Sequence, residues 1–158
     1  MSGVRFTVNS REVAADVEPR THLGDFLRDH LRLTGTHLAC EQGVCGTCTV
    51  LVDAQPTRAC LVLAAACDGC EIVSIEGFGE DEVMRALRRA FTEAHGLQCG
   101  FCTAGFLMTI LSFLEENSNP NEQEIREAIS GNICRCTGYQ HIVDAVKLAA
   151  EKMTAEGG

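Results

Sequence analysis

Eight cysteines in two quartets that do not overlap constrain this chain more than any other feature. Cys40, Cys45 and Cys48 with a distant Cys60 spell C-x4-C-x2-C plus a fourth thiol; Cys99, Cys102, Cys134 and Cys136 spell C-x2-C, a long gap, then C-x-C. Cys67 and Cys70 bring the total to ten in 158 residues. Usage that dense has two common causes, a disulfide scaffold or metal ligation. Residues 1–10 carry no apolar stretch of the exported kind, so the expected compartment is the reducing cytoplasm, where thiols stay free for metal. Periplasmic placement by co-export with a signal-bearing partner is the alternative. The chain carries 13 basic against 22 acidic residues, a net −9, and neither half is basic. Nothing therefore drives binding to nucleic acid or anionic lipid. The longest apolar run, Ala59 to Cys67, falls far below the ~20 residues of a membrane span.

The quartets divide the chain. Residues 76–82 hold two glycines and four acids, a composition that interrupts periodic structure, and the boundary is placed there, giving units 1–77 and 78–158. In the first, Val4, Phe6 and Val8 alternate with polar residues, and Asn9-Ser10 separates them from a second alternating stretch, Val13 to Val17, as in a β-hairpin. Leu23, Phe26, Leu27 and Leu31 recur at helical spacing behind Thr21 as N-cap. Thr47 to Val52, and Ile72, Val73 and Ile75, predict two further strands, which leaves the cysteine-rich stretch 39–48 as a loop. The second unit has helical periods throughout: Val83 to Ala94, Phe106 to Leu114, Ile125 to Ile129 and Ile142 to Met153. Asn121 with Glu124, and Thr137 with Gln140, predict capping boxes at the last two starts. The expected fold class is α+β, a small sheet-and-helix domain followed by an all-α four-helix bundle.

Spacing also speaks to the metal. C-x4-C-x2-C with a remote fourth cysteine is the plant-type 2Fe-2S pattern, whereas structural zinc favours paired C-x2-C units. Gly43 and Gly46 lie between the ligands, where positive φ lets the backbone wrap closely around a cluster. A Rieske centre is excluded, because none of the five histidines falls in a C-x-H pair. For the second quartet, spacing alone leaves zinc as an alternative. A second cluster is favoured by the placement of Cys102 and Cys136 just ahead of expected helix starts, where exposed N–H groups and the dipole stabilise thiolate charge. Arg135, between two ligands, is a candidate to offset cluster charge or else a surface ion-pair residue. Cys67 and Cys70 flank the Asp68-Gly69 turn and read as small apolar thiols at a strand end. His37 is read as a solvated loop residue and Tyr139 as packing at a helix start.

Three segments closely resemble one family. Cys40-Glu41-Gln42-Gly43-Val44-Cys45-Gly46-Thr47-Cys48-Thr49-Val50, Gln98-Cys99-Gly100-Phe101-Cys102-Thr103 and Gly131-Asn132-Ile133-Cys134-Arg135-Cys136-Thr137-Gly138-Tyr139 are similar, in order, to the small iron–sulfur subunit of bacterial molybdenum hydroxylases, the xanthine oxidase family. The resemblance runs from about Val4 to Met153. It implies a β-grasp, plant-type ferredoxin-like domain and a helical domain, each holding one 2Fe-2S cluster on its own quartet. It further implies an oxidoreductase role in which this chain carries electrons singly from molybdopterin, in a dinucleotide form, through both clusters to FAD. The implied partners are a large molybdopterin-binding subunit and a medium FAD-binding subunit, assembled as a dimer of heterotrimers. Gln98 and Cys136 match positions that hydrogen-bond the pterin, and no catalytic residue is expected in this chain. A freely diffusing ferredoxin-type carrier is the alternative function, and a zinc-stapled interaction module a third.

Overall fold

Asn9 and Ser10 both take positive φ, 49° and 64°, the turn geometry that reverses a tightly coupled hairpin, and the first hairpin forms around them as the alternation predicts. The computed structural model describes residues 2–156. Strand β1 (Ser2–Val8) pairs antiparallel with β2 (Arg11–Val17) from Ser2↔Val17 to Val8↔Arg11. A second hairpin joins β3 (Thr49–Val52) to β4 (Gln55–Arg58) through Asp53 and Ala54, again both at positive φ. Strand β5 (Glu71–Val73) then lies parallel to β1 and antiparallel to β3, closing a five-stranded mixed sheet in the order β2-β1-β5-β3-β4. Strand β4 is not signalled by alternation. It is an edge strand carrying Pro56, which an edge tolerates because no ladder bond is required from its missing N–H.

The helix expected over 23–31 forms differently. It opens as α1 (Leu23–Asp25) and widens at once into a π-helical turn, Phe26–His30. His22, not Thr21, is its N-cap, its Nδ1 accepting from the Asp25 N–H at 3.0 Å. The side-chain period that suggested a helix is satisfied all the same, because Leu23, Phe26 and Leu27 are fully buried against the sheet, with Phe26 edge-on to Phe6 at 5.3 Å. Each such side chain contributes about 1.5–3 kcal/mol of burial free energy.

Beyond the 3-10 turn Ile75–Phe78 the chain is helical: α2 (Glu82–Glu93), α3 (Thr103–Glu116), α4 (Glu122–Ala128) and α5 (Gln140–Glu156). Helix α2 packs on α5 and α3, and α4 on α5 and α3. The capping box at Asn121 forms in full, with Glu124 reaching back to the Asn121 N–H at 2.7 Å. The box expected at Thr137 does not: the Thr137 hydroxyl accepts from Tyr139 N–H, while Gln140 turns to Asp144 and Arg126.

Two cores result. One lies between sheet and α1, around Phe6, Phe26, Val50 and Ile72; the other lies among the helices, around Phe91, Phe106, Ile110 and Ile142. The two-residue period of β3 connects them, since Val50 belongs to the first core and Leu51 to the second. Helix α3 therefore seats directly against β3, and its first turn, at Gly105, meets the Gly46-Thr47 backbone just ahead of that strand.

Candidate metal centres

The first quartet is presented by the loop 39–48 and the turn that ends β4. Cys40 and Cys45 are half-buried in the loop, whereas Cys48 and Cys60 are buried. The Ala59 N–H bonds to the Cys48 carbonyl at 3.2 Å, which ties the remote fourth cysteine to the third. Gly43 and Gly46 take φ of +77° and +72°, as their place between ligands predicts. The resulting turn aims the N–H groups of Gln42 and Cys45 at the Cys40 sulfur, each at 3.4 Å. Those two donors hold the Cys40 thiol down at about 6. Burial pushes the Cys60 thiol up to about 11, and its contact with the Cys48 thiol adds to the rise.

The second quartet comes from two inter-helix segments. Cys102 is the N-cap residue of α3, half-buried, and burial pushes its thiol up to about 12, with the Cys134 sulfur contributing. Cys134 also bears a burial penalty, yet the Thr137 hydroxyl and N–H and the Cys136 N–H bring its thiol below the usual range. Cys99 and Cys136 are exposed, with their sulfurs 3.6 Å apart. Cys136 stands four residues ahead of α5 rather than at its start, so of the two only Cys102 occupies the helix-start position expected, and its side chain makes no cap hydrogen bond there. The Gln98 amide donates to the Cys136 carbonyl at 3.0 Å, which brings together the two residues the motif singled out; Gln98 lies in a loop well past the end of α2.

The thiols thus meet in pairs: Cys40 with Cys45, Cys48 with Cys60, Cys99 with Cys136, and Cys102 with Cys134. Two pairs per site, with backbone N–H groups directed at sulfur, is the donor chemistry a 2Fe-2S centre takes, each iron receiving two thiolates. The residues fit that group.

Several residues that spacing did not disclose join the two sites. The Ile133 N–H, next to Cys134, donates to the Cys45 carbonyl at 2.9 Å. Buried Asn132 donates to the Gly46 carbonyl at 3.2 Å and accepts from Thr109 at 3.1 Å. Gly105, in the first turn of α3, lies so close to Gly46 and Thr47 that a methyl group there would clash with both backbones. An isolated glycine in an otherwise apolar helix was the one available signal for that approach. The Tyr139 hydroxyl accepts from Cys134 N–H at 3.0 Å, so the ring that packs at the helix start also orients a ligand segment. His37 is not simply solvated: its ring stacks on Phe101 at 4.7 Å and its Nδ1 lies 2.7 Å from the Phe101 carbonyl, again bridging the two loops. Arg135 is exposed and forms no ion pair among the described residues. Cys67 is buried, with its thiol pushed up to about 11, and Cys70 is raised by burial and by the Asp53 carboxylate, as expected of inert packing thiols.

Comparison with known proteins identifies both halves as cluster-binding domains. Residues 6–68 match the family model described as a 2Fe-2S iron-sulfur cluster binding domain, and residues 74–147 match a second described as a [2Fe-2S] binding domain. The chain is 51% identical over 147 residues to the caffeine dehydrogenase subunit gamma of a Pseudomonas strain, covering 91% of this chain and 88% of that one. It is 52% identical to the 6-hydroxypseudooxynicotine dehydrogenase complex subunit beta of Paenarthrobacter nicotinovorans, with 92% of each covered. Quinoline 2-oxidoreductase from Pseudomonas putida has the same fold, with a TM-score of 0.90, 48% identity, and 97% of this chain and 96% of that chain covered. Two cluster-binding domains in this order, with relatives of this kind along nearly the whole length, place the chain among the iron–sulfur small subunits of the bacterial molybdenum hydroxylases of the xanthine oxidase family, as an oxidoreductase component.

Proposed function

We propose that the chain is the electron conduit of a three-subunit molybdenum hydroxylase. Cys40, Cys45, Cys48 and Cys60 hold one 2Fe-2S cluster in a β-grasp domain, residues 1–77. Cys99, Cys102, Cys134 and Cys136 hold the other in a four-helix bundle, residues 78–158. When bound, each cluster supplies a one-electron step between a two-electron donor, molybdopterin in a dinucleotide form, and a two-electron acceptor, FAD. The observation that carries this reading is the hydrogen bond from the Ile133 N–H to the Cys45 carbonyl, which, beside that from Asn132 to the Gly46 carbonyl, joins the loop of one quartet to that of the other.

The chain's own residues do three things here. Loop N–H groups at Cys40 and Thr137 at Cys134 stabilise thiolate charge, which a pair of centres at about −2 each requires. Asn132 and Gly46 keep the two loops in contact through a direct hydrogen bond. Gln98 holds the Cys136 backbone on the face assigned to the pterin. The partners, one large and one medium subunit in a dimer of heterotrimers, are supported by surface chemistry. Val44, Leu61, Leu63, Leu97, Phe101 and Ile133 are large apolar residues exposed by more than a third, and each lies within three residues of a ligand cysteine. Apolar surface gathered at the centres suits docked subunits better than a freely diffusing carrier. No helix among the described residues is long and apolar enough to cross a membrane.

Iron and acid-labile sulfide analysis of the chain purified from its host tests the proposal. About four of each per chain, together with co-purifying flavin and molybdenum, is expected. Two of each, or zinc in place of iron, overturns it.

A further inference from the structure

Arg58, half-buried, ends β4 two residues before Cys60, and its guanidinium reaches from one ligand loop to the other. It donates to the Thr49 hydroxyl, beside Cys48, and to the Gly131 carbonyl at 2.7 Å, three residues before Cys134. The Thr49 hydroxyl donates in turn to the Gly46 carbonyl at 2.7 Å, and Asn132, next to Gly131, donates to that same carbonyl. A ring of hydrogen bonds closes across the boundary, and Arg58 is its only charged member. Both of its acceptors are neutral. Among the described residues no carboxylate lies within ion-pair distance of it, although the chain carries 22 acids. A partly desolvated cation with no counter-charge is unfavourable unless an anion compensates it. Of its contacts, Thr49 directly follows Cys48 and Gly131 lies three residues before Cys134, while Arg58 itself precedes Cys60 by two.

We propose that Arg58 is a positioning residue and the shared counter-ion of the two centres, an inference that rests on the cluster reading above. Its two-pronged guanidinium fixes the spacing of the ligand loops. Its charge favours the reduced state of each centre, because every added electron makes a centre more negative. Removing the charge lowers both reduction potentials; keeping the charge on a single-pointed ammonium preserves the potentials and loosens the spacing.

The test uses the complete complex carrying Arg58→Gln or Arg58→Lys. Iron content, the midpoint potential of each centre by EPR-monitored titration, and the magnetic interaction between the two reduced centres are read in each. With full iron, Arg58→Gln is expected to shift both potentials downward and weaken the interaction. Arg58→Lys is expected to keep the potentials and still weaken the interaction. Wild-type potentials in iron-replete Arg58→Gln, or equal shifts in both variants, overturn the counter-ion role. If Arg58→Gln fails to load iron, Arg58→Lys decides, and an interaction of wild-type strength in it overturns the positioning role. A wild-type complex without iron would instead sink the cluster reading, and this inference with it.

Discussion

Replacing Gly105 by alanine probes the contact on which the whole arrangement depends. A β-carbon at this buried position would stand 2.9 Å from Thr47 Cα, where ordinary contact begins at about 3.4 Å, and closer still to the Gly46 carbonyl oxygen. Both neighbours are backbone atoms of the first ligand loop, so no rotamer change can relieve the clash. Overpacking of this kind costs about 1–3 kcal/mol, against which alanine in a helix gains about 1 kcal/mol over glycine. Because both clashing neighbours are backbone, the cost falls in the upper part of that range, and the expected net loss is about 1–2 kcal/mol, or roughly 2–8 °C in Tm for a chain of this size. The loop must also move away from α3, stretching the Ile133-to-Cys45 and Asn132-to-Gly46 hydrogen bonds together. Thermal unfolding of the cluster-loaded chain reads the first effect, and the magnetic interaction between the reduced centres reads the second. Gly79→Ala is the control: its φ is −55° and the nearest atom to a new methyl group is 3.9 Å away, so it should be neutral or slightly stabilising. A Gly105→Ala chain as stable as the wild type, with undiminished coupling between its centres, would refute the proposed backbone contact.

Other residues give sharper local outcomes. Cys48→Ala should remove the EPR signal of the first centre and halt transfer to an external acceptor, while substrate still reduces the molybdenum partner; Cys70→Ala should leave the iron content unchanged. Tyr139→Phe deprives the Cys134 N–H of its acceptor and should cost about 0.5–1.5 kcal/mol, read as a lowered Tm with both centres retained. In the metal-free chain, kept folded as judged by circular dichroism, thiolate forms as pH rises through each thiol's own range. Iodoacetamide should therefore label Cys40 from about pH 6 upward, and Cys60 and Cys102 only toward pH 11–12, a sequence that peptide mass spectrometry resolves. Simultaneous labelling of all three would show that the loop N–H groups do not stabilise the Cys40 thiolate.

Much of this molecule could be read from local chemistry. Hydrophobic periods of two and of 3.6 residues are set by neighbours a few positions apart, which is why the first hairpin and helices α2 to α5 stand where the pattern puts them. The capping box at Asn121 is likewise a matter of four consecutive residues. Thiol spacing fixes which cysteines share a loop, and so separates the two quartets before any folding is considered. Where a local signal had a competitor it failed: His22 displaced Thr21 as a cap, Gln140 found Asp144 and Arg126 instead of the Thr137 backbone, and β4 is a strand because β3 needed an edge partner.

What only the tertiary structure decides is the relation between the quartets. Gly105 against Gly46, Asn132 on the Gly46 carbonyl, Ile133 on Cys45 and Arg58 on Gly131 all join positions 59 to 88 residues apart. No periodicity records such contacts, because they arise where one face of β3 meets α3, and either partner alone looks like an ordinary loop residue. The sequence by itself determines that each half carries its own cysteine quartet. That the two halves bring their ligands within one hydrogen bond of each other is settled by how closely two backbones can approach when neither carries a side chain at the point of contact.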